Sequence, residues 1–217
     1  MSQTAICPGQ RTYRLHRSDC AALLEQLEAL QPEHQDICDI HALCFASYMD
    51  GAPVIDREGP CSAAYYSLQY LHQDPTYLFL HHAGSDTQPA MVTEEECRAL
   101  LSGETDWLLA RHNPLLRSFH DDLTENMFLP RTLLNCTRRT MTLPGGCVRF
   151  ALHTDYRTAM PDMDFLDPQQ LLPKLTPFES GIFLRITADG EIPDEILCMI
   201  REAAPRRRRT NNLFLPV

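Results

Sequence analysis

The alternation of apolar and polar residues predicts short β-strands and amphipathic helices along this 217-residue chain. The clearest pattern is a hairpin with strands over residues 132–141 and 147–153, joined by a Pro-Gly-Gly turn whose glycines tolerate a positive φ. Because successive strand residues point to opposite faces, Arg149 and His153 share one face of the second strand. Arginines on one face and hydrophobic residues on the other indicate an anion-binding surface, although a basic residue on a strand is more often simply solvated.

The same patterns predict the other elements. Further strands are expected over residues 10–16, 38–46, 63–71, 77–82, 181–187 and 210–217. Helices are expected over 20–30 with Ser18 as N-cap, from a Thr93–Glu96 capping box to a stop at Gly103, over 107–111, from Pro114 onwards, and over 194–200. About eight strands with inserted and flanking helices predict an α+β fold, a closed antiparallel β-barrel in a single domain of residues 1–217.

Charge and cysteine usage narrow the function classes. The net charge of −10 argues against a nucleic-acid binder of the simple electrostatic kind. Nine cysteines, an odd number without a C-x-x-C pair, indicate reduced thiols. The sequence has no run of apolar residues long enough for a membrane segment and no signal-peptide pattern at its start, so we expect a cytoplasmic protein.

One pair of residues raises the question of a metal. His81 and His82 are adjacent on a predicted strand and should therefore point to opposite faces. They cannot easily share one ion, and we predict no metal site from them.

Several stretches resemble, in the order of their elements, the VTC domain, which is the polyphosphate polymerase domain of the triphosphate tunnel metalloenzyme superfamily. The resemblance rests on residues 13–30, 93–141, 148–157 and 182–197. It implies a tunnel in which inward Lys and Arg bind a triphosphate and carboxylates hold Mg²⁺ or Mn²⁺.

Many signature positions of that family differ in this chain. Residues of other types stand where the family has acids or lysines, namely Gln10, Thr12, Ala46, Ala64, Tyr66, Leu68, Phe79, His81, His153 and Thr187. Basic residues that the resemblance retains, or that lie on inward strand positions, give the anion-binding candidates Arg14, His81, Arg138, Arg149, His153, Arg157 and Arg185.

Three functional interpretations follow from this pattern. The missing acids favour a catalytically degenerate protein that binds triphosphate or polyphosphate, or that acts as a scaffold or regulatory partner for another protein, with histidine protonation strengthening anion binding below about pH 6.5. An active ATP–polyphosphate phosphotransferase is the alternative, and only this alternative requires Mn²⁺ or Mg²⁺. The third is a structural or interaction protein whose barrel is filled by Tyr66, Leu68, Tyr70 and Phe79.

Overall fold

An antiparallel sheet of ten strands organises the computed structural model, which describes residues 9–47, 55–56, 59–60, 65–72, 74–82, 88–161, 163–177 and 181–210. The strands are β1 (Gln10–Leu15), β2 (His34–Ser47), β3 (Ile55–Asp56), β4 (Gly59–Pro60), β5 (Tyr65–Leu71), β6 (Asp74–His82), β7 (Ala90–Val92), β8 (Phe128–Thr142), β9 (Val148–Ala159), β10 (Thr176–Pro177), β11 (Ile182–Ala188) and β12 (Arg208–Thr210). The predicted α+β class is confirmed. Of the predicted last strand, residues 211–217 lie outside the described residues.

Six α-helices connect or flank the strands. They are α1 (Arg17–Ala29), α2 (Glu94–Leu101), α3 (Asp106–Ala110), α4 (Pro114–Glu125), α5 (Pro168–Leu171) and α6 (Asp194–Ala203), with 3₁₀ turns at Met163–Leu166 and Leu172–Lys174. The predicted capping box is confirmed, because the Glu96 N–H donates to Thr93 Oγ1 and the Thr93 N–H donates to Glu96 Oε2. The predicted Ser18 cap is wrong: the N-cap of α1 is His16, two residues earlier, and His16 Nδ1 accepts from the Ser18 N–H.

The order of strands in the sheet is β12-β1-β11-β9-β8-β2-β5-β6-β7, and β10 adds to β9 beside this path. Within the described residues, β7 and β12 stand at the two ends and each pairs on one side only. The predicted closed barrel is therefore wrong. Closure requires the two terminal strands to exchange backbone hydrogen bonds along their length, whereas each of these strands has three residues.

Alternation and strand pairing sort the side chains of the sheet into two faces. We call the face of Arg138 the inner face and the face of its neighbour Arg139 the helix face. On the helix face, α1 and α6 cover a cluster that includes Phe150 and Leu184, while α2, α3 and α4 cover a second cluster around Tyr66. Burial of these large apolar side chains, each stabilising by about 1.5–3 kcal/mol, fixes the helices to this face.

The predicted hairpin forms the centre of the sheet. Its strands, β8 and β9, are longer than predicted, and Gly145 and Gly146 in the turn adopt φ values of 81° and 74°. The hairpin carries one irregularity: Asp155 has a φ of 53°, and the pairing register shifts between Asn135 and Thr137. This β-bulge inserts an extra residue into β9 and exchanges the faces of the residues that follow it.

Candidate functional site

Four neighbouring strands, β8, β9, β11 and β1, bring basic side chains together on the inner face. Arg138 on β8 pairs with His153 on β9. The strand register then continues to β11, where Arg185 pairs with Ala151, and to β1, where Arg14 pairs with Phe183. Arg149 lies four residues before His153 and so shares its face. Five sequence-predicted residues are therefore on one surface.

His81, on β6, reaches the same group from the far side of the sheet. Burial, with the charges of Arg138 and Arg185 beside it, lowers the pKa of His81 to about 4. In a flat sheet, the five strand steps from β6 to β11 would separate His81 from Arg185 by about 24 Å. Such a distance is well beyond the screening length of about 8–10 Å in salt solution. The sheet must therefore curl, so that its inner face encloses these residues.

The lowered pKa of His81 bears on the expectation that histidine protonation strengthens anion binding below about pH 6.5. With a pKa of about 4, the imidazole stays neutral near pH 6 in the unliganded protein. The expected gain of positive charge below about pH 6.5 therefore does not hold for this histidine without an anion. The two guanidinium groups already supply positive charge, and a third one on His81 would be repelled.

The basic residues differ in their exposure. His153 is fully buried, Arg14, Arg138 and Arg185 are half-buried, and Arg149 is exposed. Within the described part of the chain, neither Arg138 nor Arg149 forms an ion pair with a carboxylate. A half-buried guanidinium is less hydrated than one at the surface, so its hydrogen bond to a phosphate ligand would contribute more binding free energy.

Arg157 is the one predicted residue that lies elsewhere. It follows the bulge at Asp155 and pairs with Asn135, whose amide contacts His41 on the helix face. Strict alternation from Arg149 predicts the inner face for Arg157, and the extra residue in β9 reverses this. Its side chain is exposed, away from the other six candidates.

A buried apolar cluster adjoins the basic residues on the inner face. It includes Ile40, Cys44 and Leu134, and it is closed by the rings of Tyr156 and Phe183, which meet edge to face at 5.7 Å. The Tyr156 hydroxyl is buried and has no hydrogen-bond partner among the described residues. Burial raises the pKa of Tyr156 well above its ordinary value, and Arg185 is close enough to oppose this effect.

Sequence reasoning missed Tyr156, because only the bulge brings it to the inner face.

The residues expected to fill a barrel are also placed differently. Tyr66, Leu68 and Tyr70 lie on the helix face and pack under the helices, and only Phe79 pairs on the inner face, with Gln69. The assumed register of β5 was off by one residue, which reverses every side chain of a strand. The expected inward position of Ala64 lies outside the described residues.

The donor atoms near this surface do not fit Mg²⁺ or Mn²⁺, which prefer several oxygen ligands. Among the described strand residues, pairing places the carboxylates of Asp36, opposite Thr140, and Asp74, opposite Leu71, on the inner face. In the described ranges, the one group of three side chains suited to an ion consists of Asp36, Cys38 and His72, a mixed set of oxygen, sulfur and nitrogen. We therefore derive no chemical step through a magnesium or manganese ion.

His81 and His82 point to opposite faces, as expected. His81 pairs with Ser67 on the inner face, whereas the His82 ring stacks on Tyr66 at 4.4 Å on the helix face. Burial lowers the pKa of His82. The two imidazoles therefore belong to different environments and cannot bind one ion together.

No helix in the described part of the chain is both long enough and apolar enough to span a membrane. The sequence matches no protein-family profile and no curated protein.

Solved structures do match. The Hippeastrum protein HpAC1, a candidate adenylyl cyclase with a dominant triphosphatase activity, is 12% identical over 95% of this chain and 97% of its own, with a TM-score of 0.55. The PH1012 protein of Pyrococcus horikoshii OT3 is 11% identical over 89% of this chain and 88% of its own, with a TM-score of 0.45. The second similarity is too weak to support a fold assignment. The match to HpAC1 shows that this chain shares the fold of that protein, and it does not single out the VTC domain.

Proposed function

We propose that the inner face binds a phosphate-rich anion, inorganic triphosphate or polyphosphate, without metal-dependent turnover. The observation that carries the proposal is that Arg138 on β8 and Arg185 on β11 both lie close enough to His81, on the distant strand β6, to lower its pKa. Collecting cations in a partly dehydrated space is unfavourable on its own, and a bound polyanion removes that cost.

The chemistry of the surrounding residues favours binding over catalysis. Phosphoryl transfer requires positioned metal ions that neutralise the charge on the transferred group. The inner face offers guanidinium and imidazole groups, and these suit retention of an anion. We therefore infer a degenerate member of the tunnel superfamily. Within it, descent from the VTC polymerases is the interpretation that the order of elements in the sequence supports.

A second candidate function is favoured by the apolar cluster beside the basic residues. Tyr156 and Phe183 fill part of the inner face, and both are almost completely buried. If this packing leaves too little room for phosphate, the protein acts through its surface as a structural or interaction partner. The two candidates differ in one measurable property, the affinity for triphosphate.

The experiment is a calorimetric titration of the full chain with triphosphate at low salt, with and without Mn²⁺. Arg138→Gln should weaken binding by about tenfold or more, since a hydrogen bond to a charged group contributes about 1.5–3 kcal/mol. The matched control is Arg157→Gln, which neutralises an arginine on the other face and should leave the affinity unchanged.

Three outcomes would contradict the proposal. Absence of binding to the wild-type chain would favour the structural candidate. Equal losses in Arg138→Gln and Arg157→Gln would indicate a nonspecific charge effect. Phosphorus NMR can detect release of phosphate from triphosphate, or synthesis of polyphosphate from ATP with Mn²⁺. Either reaction would mean that the protein is an active enzyme.

A further inference from the structure

We propose that Asp36, Cys38 and His72 form a binding site for a single Zn²⁺ ion. One donor atom from each residue, a carboxylate oxygen, the Sγ atom and a ring nitrogen, lies within 4.8 Å of the other two. This site adjoins the proposed anion-binding surface, because Cys38 pairs with Arg138, but the proposal does not depend on anion binding.

The fold determines why these three residues meet. Asp36 and Cys38 are two positions apart on β2 and therefore point to the same face. His72 comes from the end of β5, which pairs with β2, and the His72 N–H donates to the Asp39 carbonyl at 2.9 Å. This backbone hydrogen bond ties the turn after β5 to the segment of β2 that carries the other two ligands.

The distances are close to those of a formed site. With bonds of about 2.0–2.3 Å, the donor atoms around a tetrahedral Zn²⁺ lie roughly 3.3–3.8 Å apart. A contraction of about 1 Å is therefore sufficient. Asp36 and His72 are exposed, so their side chains can make this movement without disturbing the core, whereas Cys38 is buried and fixed.

The chemistry of the donor set selects the ion. A thiolate and an imidazole are preferred ligands of Zn²⁺, while Mg²⁺ and Ca²⁺ take oxygen atoms. The thiolate and the carboxylate together neutralise a divalent charge. Three protein ligands leave a fourth position open to water or to another ligand.

Arg138 is the charged neighbour of this site. Burial raises the pKa of the Cys38 thiol, and the nearby positive charge of Arg138 opposes this effect only in part. A coordinated thiolate can still accept an N–H bond, as outer-shell groups commonly donate to metal ligands. The arginine is therefore compatible with a coordinated thiolate.

The test is a titration of the reduced, chelator-treated full chain with Co²⁺, followed by competition with Zn²⁺. We expect sulfur-to-cobalt charge-transfer absorption in the near ultraviolet and visible bands of four-coordinate cobalt, both of which Zn²⁺ abolishes. Cys38→Ser should remove the charge-transfer band. Asp36→Asn and His72→Gln, at exposed positions, should keep the fold and weaken binding at least about tenfold.

The matched control is Cys147→Ser, which removes an exposed thiol in the hairpin turn and should leave the titration unchanged. A wild-type chain without the charge-transfer band would overturn the proposal. So would a band that persists in Cys38→Ser, or an affinity that is unaffected by both Asp36→Asn and His72→Gln in folded protein.

Discussion

Arg149 and Arg157 are eight residues apart on β9, and strand pairing nevertheless sets their side chains on opposite faces of the sheet. An even spacing on a regular strand keeps two residues on one face. The bulge at Asp155 adds one residue to β9, so that from this point onwards each side chain lies on the face opposite to the one that regular alternation predicts. As a result Tyr156, instead of Arg157, closes the inner face next to Phe183.

The bulge makes a direct prediction for Asp155, whose φ is 53°. Asp155→Gly should be more stable than Asp155→Val by about 1–2 kcal/mol, since the left-handed conformation is unfavourable for residues with a Cβ and more so for branched ones. Both variants lose the hydrogen bond from Thr154 Oγ1 to the carboxylate, so they are matched to one another. Urea unfolding measures the difference, and equal stabilities would argue against a bulge at this position.

His81 predicts a pH dependence of stability. Its pKa is lowered to about 4 in the folded protein, whereas the unfolded chain binds the proton near the ordinary value of 6.5. The neutral imidazole therefore contributes stability above pH 6.5, and this contribution is lost as the pH falls from 6.5 towards 4. His81→Gln should flatten this loss by at most about 3 kcal/mol.

Urea unfolding of the wild-type chain and of His81→Gln between pH 7 and pH 4 tests this. Burial also lowers the pKa of His41 and His82, so part of the slope should remain in the variant. His34→Gln, at an exposed position at the start of β2, is the control and should follow the wild type. If His81→Gln leaves the pH dependence of the free energy of unfolding unchanged, the pKa of His81 is not lowered in the folded protein.

The hydrogen bond between Tyr66 and Asp122 joins the sheet to α4. The Tyr66 hydroxyl donates to Asp122 Oδ2 at 2.6 Å and can accept from Ser118 Oγ at 3.2 Å. Tyr66→Phe should lower the free energy of unfolding by about 1–2 kcal/mol, at the lower end for a charged acceptor because water can reach Asp122. Tyr77→Phe, at a side chain that is 61% exposed, should change it by less than about 0.5 kcal/mol. Equal effects of the two changes would contradict the bond.

The proposed anion site predicts different salt responses for two arginines. Arg138 is half-buried and Arg149 is exposed, so added salt screens a phosphate contact of Arg149 more strongly. Arg149→Gln should therefore lower triphosphate affinity mainly at low salt, whereas Arg138→Gln should lower it at every salt concentration. Calorimetry over a series of salt concentrations distinguishes them, and identical salt slopes would mean that the two side chains are equally hydrated.

Local patterns in the sequence predicted the local features correctly. The Thr93–Glu96 capping box and the glycine turn of the central hairpin depend on residues a few positions apart, and both are present. The inner-face positions of Arg138, His153 and Arg185 follow from alternation within regular strand segments. These features do not require knowledge of how distant strands meet.

Features that depend on register or on distant pairing could not be obtained in this way. A one-residue difference in β5 moved Tyr66 and Tyr70 to the helix face, and the bulge at Asp155 moved Arg157. His72 is 34 positions from Cys38, and only the pairing of β5 with β2 brings them together. The spacing of Asp36 and Cys38 was the available signal for that cluster, and it lies at the start of a strand that was predicted to begin at residue 38.

The short strand β7 has a consequence for how copies of this protein meet one another. Sheet edges with long rows of unpaired backbone groups act as templates on which other chains add, which leads to aggregation. β7 has three residues, and Thr93 begins helix α2 immediately after it. β7 itself therefore offers few free backbone groups to another chain, and the brevity of the strand opposes the growth of fibrils from it.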